Sequence, residues 1–267
     1  MYYLTGLTAV AVLGFFHVGS KTAGAQEAEP RFLELMHYEV ASAERQEFLL
    51  KYLRETAVPA LNRAGIEPVG VFTVAPADLL DGDENQSAEP NYSVYILTQF
   101  DSLDEFMSLA PKIGADDEFM SSAREYFTTP KDNPAYTRKH TKLMRAFAGF
   151  PAVEKPLEGQ RYFELRTYEA HNELKAGLKV AMFNEGEIDV FKKVGMRPVF
   201  FGHTIIGQNM PHLTYMLAYR DKDEQRQVWQ RFRDDPDWHA MRDNPRYADT
   251  VSRIHAVFLV PAEGSQL

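Results

Sequence analysis

The chain of 267 residues contains no cysteine. This excludes disulfide bonds, thiolate metal sites, cysteine nucleophiles and lipid anchors attached through cysteine. Positive charge is also scarce, because 29 Lys and Arg are outnumbered by 38 Asp and Glu, for a net charge of −9. No basic run interrupts this acidic balance, so we expect no binding to nucleic acid or to anionic membrane surfaces.

Familiar catalytic and cofactor motifs are missing as well. The sequence has no G-x-S-x-G, G-x-x-x-x-G-K-[ST], G-x-G-x-x-G or H-E-x-x-H pattern. Asp81–Asn85 begins like a calcium loop, but Gln86 and Tyr92 stand where that loop needs Gly and Glu. We therefore interpret this segment as a solvated turn, and the sequence predicts neither a metal site nor a bound cofactor.

Long apolar runs are absent except near the N-terminus. Leu4–Val18 carries no charge, and Ala23–Ala25 offers small residues for cleavage before Gln26. Residues 1–25 are therefore predicted to be a signal peptide, which makes the mature protein secreted or periplasmic and free of the membrane. An uncleaved N-terminal anchor is the alternative, although this run is short for a bilayer span.

The sequence does contain an internal repeat. RFLELMHYE begins at Arg31 and RYFELRTYE begins at Arg161, and the two match at Arg, Glu, Leu, Tyr and Glu. Residues 31–74 slide onto 161–204 without a gap, which superposes helix N-cap residues, an apolar helical stripe and glycine stop signals. The same supersecondary unit is therefore predicted to occur twice.

The match resumes with a shorter offset further along the chain. VYILTQFD, which ends at Asp101, aligns with TYMLAYRD, which ends at Asp221, at an offset of 120 residues. Each copy then continues into a second helix and a last apolar strand. The order strand, helix, strand, strand, helix, strand is typical of a ferredoxin-like sandwich, with helices on one face of a four-stranded sheet.

We predict an α+β fold made of two tandem ferredoxin-like βαββαβ units, at residues 30–150 and 160–262. Each unit would leave one sheet face open, and the two open faces would cover each other to form a pseudo-dimeric α/β barrel. Because one chain supplies both halves, this pseudo-dimer is intramolecular and needs no second subunit, so the protein could be monomeric.

Alternation along the repeated strand separates two sets of side chains. We expect the more apolar set, which includes Leu33, Leu35, Phe163 and Leu165, to face the helices. The Glu/Arg/Tyr set should then face the space between the sheets, as either a polar seam that fixes their docking or a ligand cavity. The candidate ligand-binding residues of this interior are Glu34, Tyr38, Tyr162, Glu164, Arg166, Tyr168, His203 and His212.

Histidines are weighed separately because imidazole can be a base or a ligand of a metal or haem. His203 and His212 lie on consecutive predicted strands and could face each other across a hairpin. A structural, hydrogen-bonded role is the alternative, since Thr73 occupies the equivalent position of the first copy. His140 and His255 adjoin the last strands and show no ligand-like pattern.

Four segments of the second copy resemble the NIPSNAP family. They are ELRTY at Glu164–Tyr168, the helix ending at Gly195, the strand ending at Asp221, and DPDWHAMR at Asp235–Arg242. The first copy is a weaker match, since Met36 replaces the arginine of ELRTY. The resemblance implies a tandem dimeric α/β-barrel fold, related to antibiotic-biosynthesis monooxygenases and EthD-like proteins, and it implies no defined reaction.

Two functions are consistent with these observations. The favoured one is a non-catalytic module that binds a small apolar or amphipathic molecule, or a protein partner, because no convincing nucleophile–base pair is present. The alternative is a dimeric-barrel enzyme, such as a cofactor-independent or haem-assisted monooxygenase. In that case Glu164, Arg166, Tyr168 and His203 would supply proton transfer and anion stabilisation.

Overall fold

The computed structural model describes residues 29–76, residue 79 and residues 90–267. The predicted signal peptide (residues 1–25) and the turn at Asp81–Asn85 lie outside the described residues. Within the described ranges, no helix is both long and apolar enough to cross a membrane.

The regular elements follow one another in the same order in two halves of the chain. The first half contains β1 (Phe32–Glu39), α1 (Ala43–Tyr52), α2 (Val58–Arg63), β2 (Gly70–Val74), β3 (Val94–Phe100), α3 (Leu103–Gly114), α4 (Asp117–Ser122), α5 (Arg124–Phe127) and β4 (Arg138–Ala146). The second half contains β5 (Tyr162–Glu169), α6 (Glu173–Met182), α7 (Ile188–Val194), β6 (Arg197–Ile206), β7 (His212–Tyr219), α8 (Lys222–Asp234), α9 (Pro236–Arg242) and β8 (Arg253–Pro261).

The eight strands form one closed antiparallel barrel in the order β1-β3-β2-β8-β5-β7-β6-β4. Strands of the first half are contiguous as β4-β1-β3-β2, and those of the second half as β8-β5-β7-β6. Two antiparallel seams, β2–β8 and β4–β6, join the halves. The predicted combination of helices with a closed barrel is therefore confirmed, and closure leaves the sheet without a free edge.

The helix boundaries follow from the capping residues that the repeat had indicated. The side chain of Ser42 accepts a hydrogen bond from the Arg45 amide before α1, and Asn172 does the same for the Lys175 amide before α6. Gly195 ends α7 with φ +92°, in the left-handed region that glycine tolerates best. Each first helix also contains one π-helical turn, at Leu53–Ala57 and at Phe183–Glu187.

The offset of 120 residues in the second part of the repeat is wrong by one. Phe32 pairs with Phe100, whereas the equivalent Tyr162 pairs with Tyr219, so β3 and β7 correspond at an offset of 119. The helix caps agree, because Ser102 caps α3 and Asp221 caps α8 in the same way. Asp101 and Asp221 are the same residue type, but only Asp221 is a helix N-cap, so they are not structurally equivalent. Such a slip of one residue in the alignment exchanges the two faces of a strand.

The barrel interior is filled by the more apolar side chains of the strands. Leu33 and Leu35 of β1 and Phe163 and Leu165 of β5 all lie in this interior core. Every strand contributes to it; the other members include Phe72, Leu97, Met144, Phe200, Met216 and Leu259. The expected facing of the two sets is therefore reversed, since the apolar set was predicted to face the helices.

The opposite faces of the strands pack against the helices. In the second half, Tyr168 and Tyr215 share a core with Phe183, Phe191 and Phe232. In the first half, a separate outer core combines Tyr38 with residues of α1, α2 and α3. Both strand faces are thus buried, so alternation separates the two sets without indicating which of them faces inward.

Candidate functional site

One end of the barrel interior is a cavity of about 370 Å³. We call it the barrel mouth. Its floor is apolar and is built from Leu35, Leu165 and Val257. Above the floor the lining becomes polar and comes from both halves of the chain; it includes His37, Glu39, Tyr95, His140, Lys142, Thr167, Glu169, His212 and His255. An apolar pocket with a few convergent polar groups is the usual form of a small-molecule site.

Two His–Glu pairs occupy equivalent positions in the mouth. His140 Nε2 lies 2.8 Å from Glu39 Oε1, and His255 Nε2 lies 2.8 Å from Glu169 Oε1. Each carboxylate ends the first strand of its half, and each imidazole lies near the start of the last strand. A carboxylate that orients an imidazole in this way prepares the second ring nitrogen for accepting or donating a proton.

Lys142 extends from β4 of the first half towards hydroxyl groups of the second half. Its Nζ donates to Thr214 Oγ1 at 3.2 Å and approaches Thr167 Oγ1 at 3.4 Å. No carboxylate pairs with it among the residues that the structure describes. Burial lowers the pKa of this amine to about 8, and the more distant Glu169 opposes the shift only in part.

His212 begins β7 and is almost completely buried, with 2% exposure. Its Nδ1 lies 3.1 Å from the Asn209 carbonyl oxygen, which fixes the proton on Nδ1 because a carbonyl can only accept. The other nitrogen, Nε2, has no hydrogen-bond partner within the described part of the chain. Burial, reinforced by the charge of Lys142, lowers the pKa to about 4, so Nε2 is an unpaired acceptor at neutral pH.

His37 and Tyr95 also line the barrel mouth, as a stacked pair of rings. Their rings stack with centroids 4.4 Å apart and an interplanar angle of 1°. Burial and the neighbouring His140 lower the pKa of His37 to about 4, and burial raises the pKa of Tyr95 to about 12. Both rings are therefore neutral over the physiological range.

Among the residues predicted from the sequence, His212 lies in the barrel mouth, whereas Glu164, Arg166 and Tyr168 face the helices. Glu164 is 1% exposed and is held by four donors. Its Oε2 accepts from Trp229 Nε1 at 2.7 Å, from the Tyr219 hydroxyl at 3.0 Å and from Gln225 Nε2 at 3.2 Å. The guanidinium of Arg166 donates to Oε1. Glu164 is thus enclosed by polar groups of β5, β7 and α8.

Arg166 and Tyr168 line a second cavity, of about 490 Å³, between the sheet and the helices. The two buried cations on its wall have carboxylate partners: Arg166 is paired with Glu164, and Lys179 Nζ lies 2.7 Å from Glu187 Oε2. These charges are already compensated inside the protein and need no charge from a ligand. This second cavity contrasts with the mouth, where Lys142 and His212 are not compensated.

The remaining predicted residues are dispersed. Tyr38 packs edge-on against Tyr136 in the outer core of the first half, and Tyr162 stacks on Phe258. Glu34 is partly buried, and burial raises its pKa. His203 alternates with Gly202, which lies against Met144 of the interior core, so His203 is on the outer face of β6. Of the two predicted histidines, His212 alone therefore contributes to the mouth.

The sequence reasoning missed most of the residues that line the mouth. A signal was available, since Glu39 and Glu169 are the last identical letters of the repeated strand. The last strand of each half also begins with Arg-x-His, at Arg138–His140 and Arg253–His255. Read together, these repeated letters would have indicated the two His–Glu pairs. His140 and His255 show no ligand-like pattern within their own strands. Their role becomes visible only when the last strand of each half is paired with the first strand of that half.

Comparisons with known proteins agree with this architecture. Residues 163–266 match the family model described as NIPSNAP. No curated protein matches the chain. A solved structure of an uncharacterised NIPSNAP domain protein from Burkholderia xenovorans is 22% identical, covers 38% of this chain and 95% of its own, and has a TM-score of 0.34.

Two longer structural matches cover both halves. A candidate monooxygenase from Fusobacterium nucleatum has a TM-score of 0.55 at 10% identity, covering 87% of this chain and 93% of that chain. A second candidate monooxygenase, from Lactobacillus acidophilus, has a TM-score of 0.54 at 11% identity, covering 87% of this chain and 94% of that chain. At these identities the likeness shows a shared fold alone.

Proposed function

Because the chain belongs to the NIPSNAP family through its second half, we propose that it is a small-molecule-binding member of that family, with its ligand in the barrel mouth. The observation that carries this proposal is the unpaired, buried Nε2 of His212, a residue that lines a cavity with an apolar floor. Leaving such an atom without a partner costs about 1–3 kcal/mol, which a ligand O–H or N–H donor would recover.

The lining defines the chemistry of the ligand. A small apolar or aromatic body suits the floor at Leu35, Leu165 and Val257 and the neighbouring aromatic pair of His37 and Tyr95. A donor group would meet His212 Nε2, and an oxygen acceptor would meet the amino group of Lys142. We therefore propose an amphipathic compound that carries oxygen groups at one end, such as a phenol, an enol or a hydroxy-carbonyl compound.

A titration with 1-naphthol tests this function, since its ring suits the apolar floor and its hydroxyl can donate to His212. We expect wild-type protein to bind it, and His212→Phe to weaken binding about tenfold, the equivalent of one hydrogen bond. His239→Phe, a histidine on α9 outside the mouth, is the matched control and should bind like wild type. Naphthalene, which lacks the hydroxyl, should not distinguish wild type from His212→Phe; equal 1-naphthol affinity in both proteins would contradict the proposal.

A second candidate function, catalysis on the bound compound, is favoured by the two His–Glu pairs. Each pair could move a proton to or from a ligand in the mouth, as a cofactor-independent oxygenase or another proton-transfer enzyme requires. Oxygen consumption with 1-naphthol, compared between wild type and the Glu39→Gln and Glu169→Gln variants, tests this candidate. A haem-assisted form would be supported by a Soret band in the purified protein.

We also propose that the first half is a diverged copy of the ferredoxin-like unit formed by the second half. The strand orders β4-β1-β3-β2 and β8-β5-β7-β6 correspond position by position, and this supports the proposal. The chain is further proposed to be exported through residues 1–25, or else anchored by them, on the strength of the charge-free Leu4–Val18 segment.

A further inference from the structure

We propose that Lys142 is a reactive amine that condenses with the carbonyl carbon of an aldehyde or ketone bound in the barrel mouth. This rests on the proposed function, because it concerns the same cavity, and it goes further by assigning a covalent step to one residue. The product would be a reversible imine between Nζ of Lys142 and the ligand.

The geometry around Lys142 is that of an available nucleophile. Its neighbours Thr167 and Thr214 offer hydroxyl groups, which hydrogen-bond the amine without holding it as a cation. The buried Lys179 is different in this respect. Its Nζ forms an ion pair with Glu187 at 2.7 Å and also faces the rings of Phe183 and Trp238.

The protonation state of Lys142 also supports its assignment as a reactive amine. With a pKa of about 8, Lys142 is neutral in about a tenth of molecules at pH 7, whereas an exposed lysine is neutral in roughly one of several thousand. Lysines desolvated in this way are the ones that proteins use to form Schiff bases. The charged and titratable groups that face the amine across the mouth are Glu169, His212 and His37.

The condensation balances with groups already present. The lone pair of the neutral amine attacks the carbonyl carbon, the C=O π bond breaks, and the carbonyl oxygen takes up a proton to give a carbinolamine. The hydroxyl then leaves as water as the C=N bond forms. The His255–Glu169 pair lines the same cavity and can accept the amine proton and return it to the leaving hydroxyl.

Benzaldehyde with sodium cyanoborohydride tests the proposal, since reduction fixes any imine as a stable benzyl adduct that peptide mass spectrometry can locate. At pH 7.5 we expect Lys142 to be labelled at least about tenfold faster than exposed lysines, with a rate that rises through pH 8. Lys139, exposed on the same strand, and the ion-paired Lys179 are internal references. Lys142→Met should lose the fast adduct, and Lys139→Met should retain it.

The outcomes separate this step from the proposed function. If 1-naphthol binds to wild type and benzaldehyde labels exposed lysines as fast as Lys142, the covalent step is overturned and the binding function stands. If neither compound enters the mouth, both proposals fail. A cooperative urea-unfolding transition of Lys142→Met, with an m-value like that of wild type, shows that this variant is folded, so loss of its adduct then reports on the amine itself.

Discussion

The amino group of Lys142 lies 3.2 Å from the hydroxyl oxygen of Thr214, so a residue of the first half contacts a residue of the second half. This contact spans one intervening strand, because β6 lies between β4 and β7 in the barrel order. The mouth is therefore a composite site that neither half could form alone, and its properties should respond to changes in either half.

Replacing Lys142 with methionine should stabilise the protein at neutral pH. The folded chain releases this proton near pH 8 and the unfolded chain near pH 10.5, so below pH 8 folding carries the full cost of burying the charge. A shift of this size corresponds to about 3 kcal/mol. The cost disappears as the pH rises from 8 to 10.5, because the unfolded chain then binds more protons than the folded one.

Urea unfolding at pH 7 and at pH 10.5 measures the effect. The free energy of unfolding of Lys142→Met should exceed that of wild type by up to about 3 kcal/mol at pH 7, and the two should converge at pH 10.5. Lys139→Met, on the exposed face of the same strand, should change stability by less than about 0.5 kcal/mol. A Lys142→Met variant that is less stable than wild type at pH 7 would contradict the assigned environment.

His37 and His212 should make the protein sensitive to mild acid. Burial lowers the pKa of both imidazoles from 6.5 to about 4, so between these values the unfolded chain binds protons that the folded chain excludes. Stability is therefore retained above pH 6.5 and falls as the pH drops towards 4. At pH 5 each histidine should cost about 2 kcal/mol relative to pH 7.

The phenylalanine variants isolate this contribution. His37→Phe and His212→Phe should each lose less stability than wild type when urea unfolding is compared at pH 7 and pH 5. His239→Phe, outside the mouth, should follow the wild-type pH dependence. If His37→Phe and His212→Phe also retain the full wild-type slope, the acid sensitivity arises elsewhere and the burial of these two imidazoles is not its cause.

The repeated strand shows where sequence reasoning succeeded. The alternation of Glu164 with Leu165, the caps at Ser42 and Asn172, and the left-handed Gly195 are all local properties, and local sequence specifies them. The closed barrel followed from duplication of the unit. These features can be predicted without knowing which other elements of the fold pack against the strand.

Features that depend on partners across the fold were predicted less well. Glu164 was expected in the barrel interior, yet its donors Trp229 and Gln225 come from α8, about sixty residues later in the chain. The sequence of β5 alone does not indicate that the donors to Glu164 lie on the helix side of the strand. The His–Glu pairs were missed for the same reason, because Glu169 and His255 meet only once β5 and β8 pair.

The equivalent glutamates of the two halves should differ sharply in their contribution to stability. Glu164 accepts from Arg166, Tyr219, Gln225 and Trp229, so Glu164→Leu leaves a buried guanidinium and three further donors without their acceptor. We expect a loss of about 3–5 kcal/mol, as for breaking one side of a buried ion pair. Glu34 lies in the first half without this network, and burial already disfavours its charge.

Glu34→Leu is therefore the matched control for Glu164→Leu. It should change the free energy of unfolding by less than about 1 kcal/mol, since it removes a partly buried carboxyl whose pKa is raised. Both variants can be compared by urea unfolding at pH 7, with the m-value as a check that the unfolding transition is unchanged. Equal losses in the two variants would show that the outer network of the second half contributes little.

The close approach of β4 and β6 should make Gly202 intolerant of a side chain. A Cβ atom at Gly202 would lie 2.8 Å from Met144 Cβ and 2.9 Å from its sulfur, inside the packed barrel core. Gly202→Ala should lower the free energy of unfolding by about 1–3 kcal/mol, the usual cost of overpacking a core. The same substitution at Gly177, in α6 and with no atom within 4 Å of its Cβ, should instead raise it by about 0.5–1 kcal/mol.

A double-mutant cycle with Met144→Ala identifies the cause. Shortening Met144 removes the sulfur and Cγ that a Cβ at Gly202 would meet, so Gly202→Ala should cost less in the Met144→Ala background than in wild type. A coupling energy of at least about 0.5 kcal/mol in this direction is expected for two side chains in contact. Additive losses would mean that the sulfur and Cγ of Met144 do not cause the cost, which would leave its Cβ atom, retained in Met144→Ala, or the Gly202 backbone as the cause.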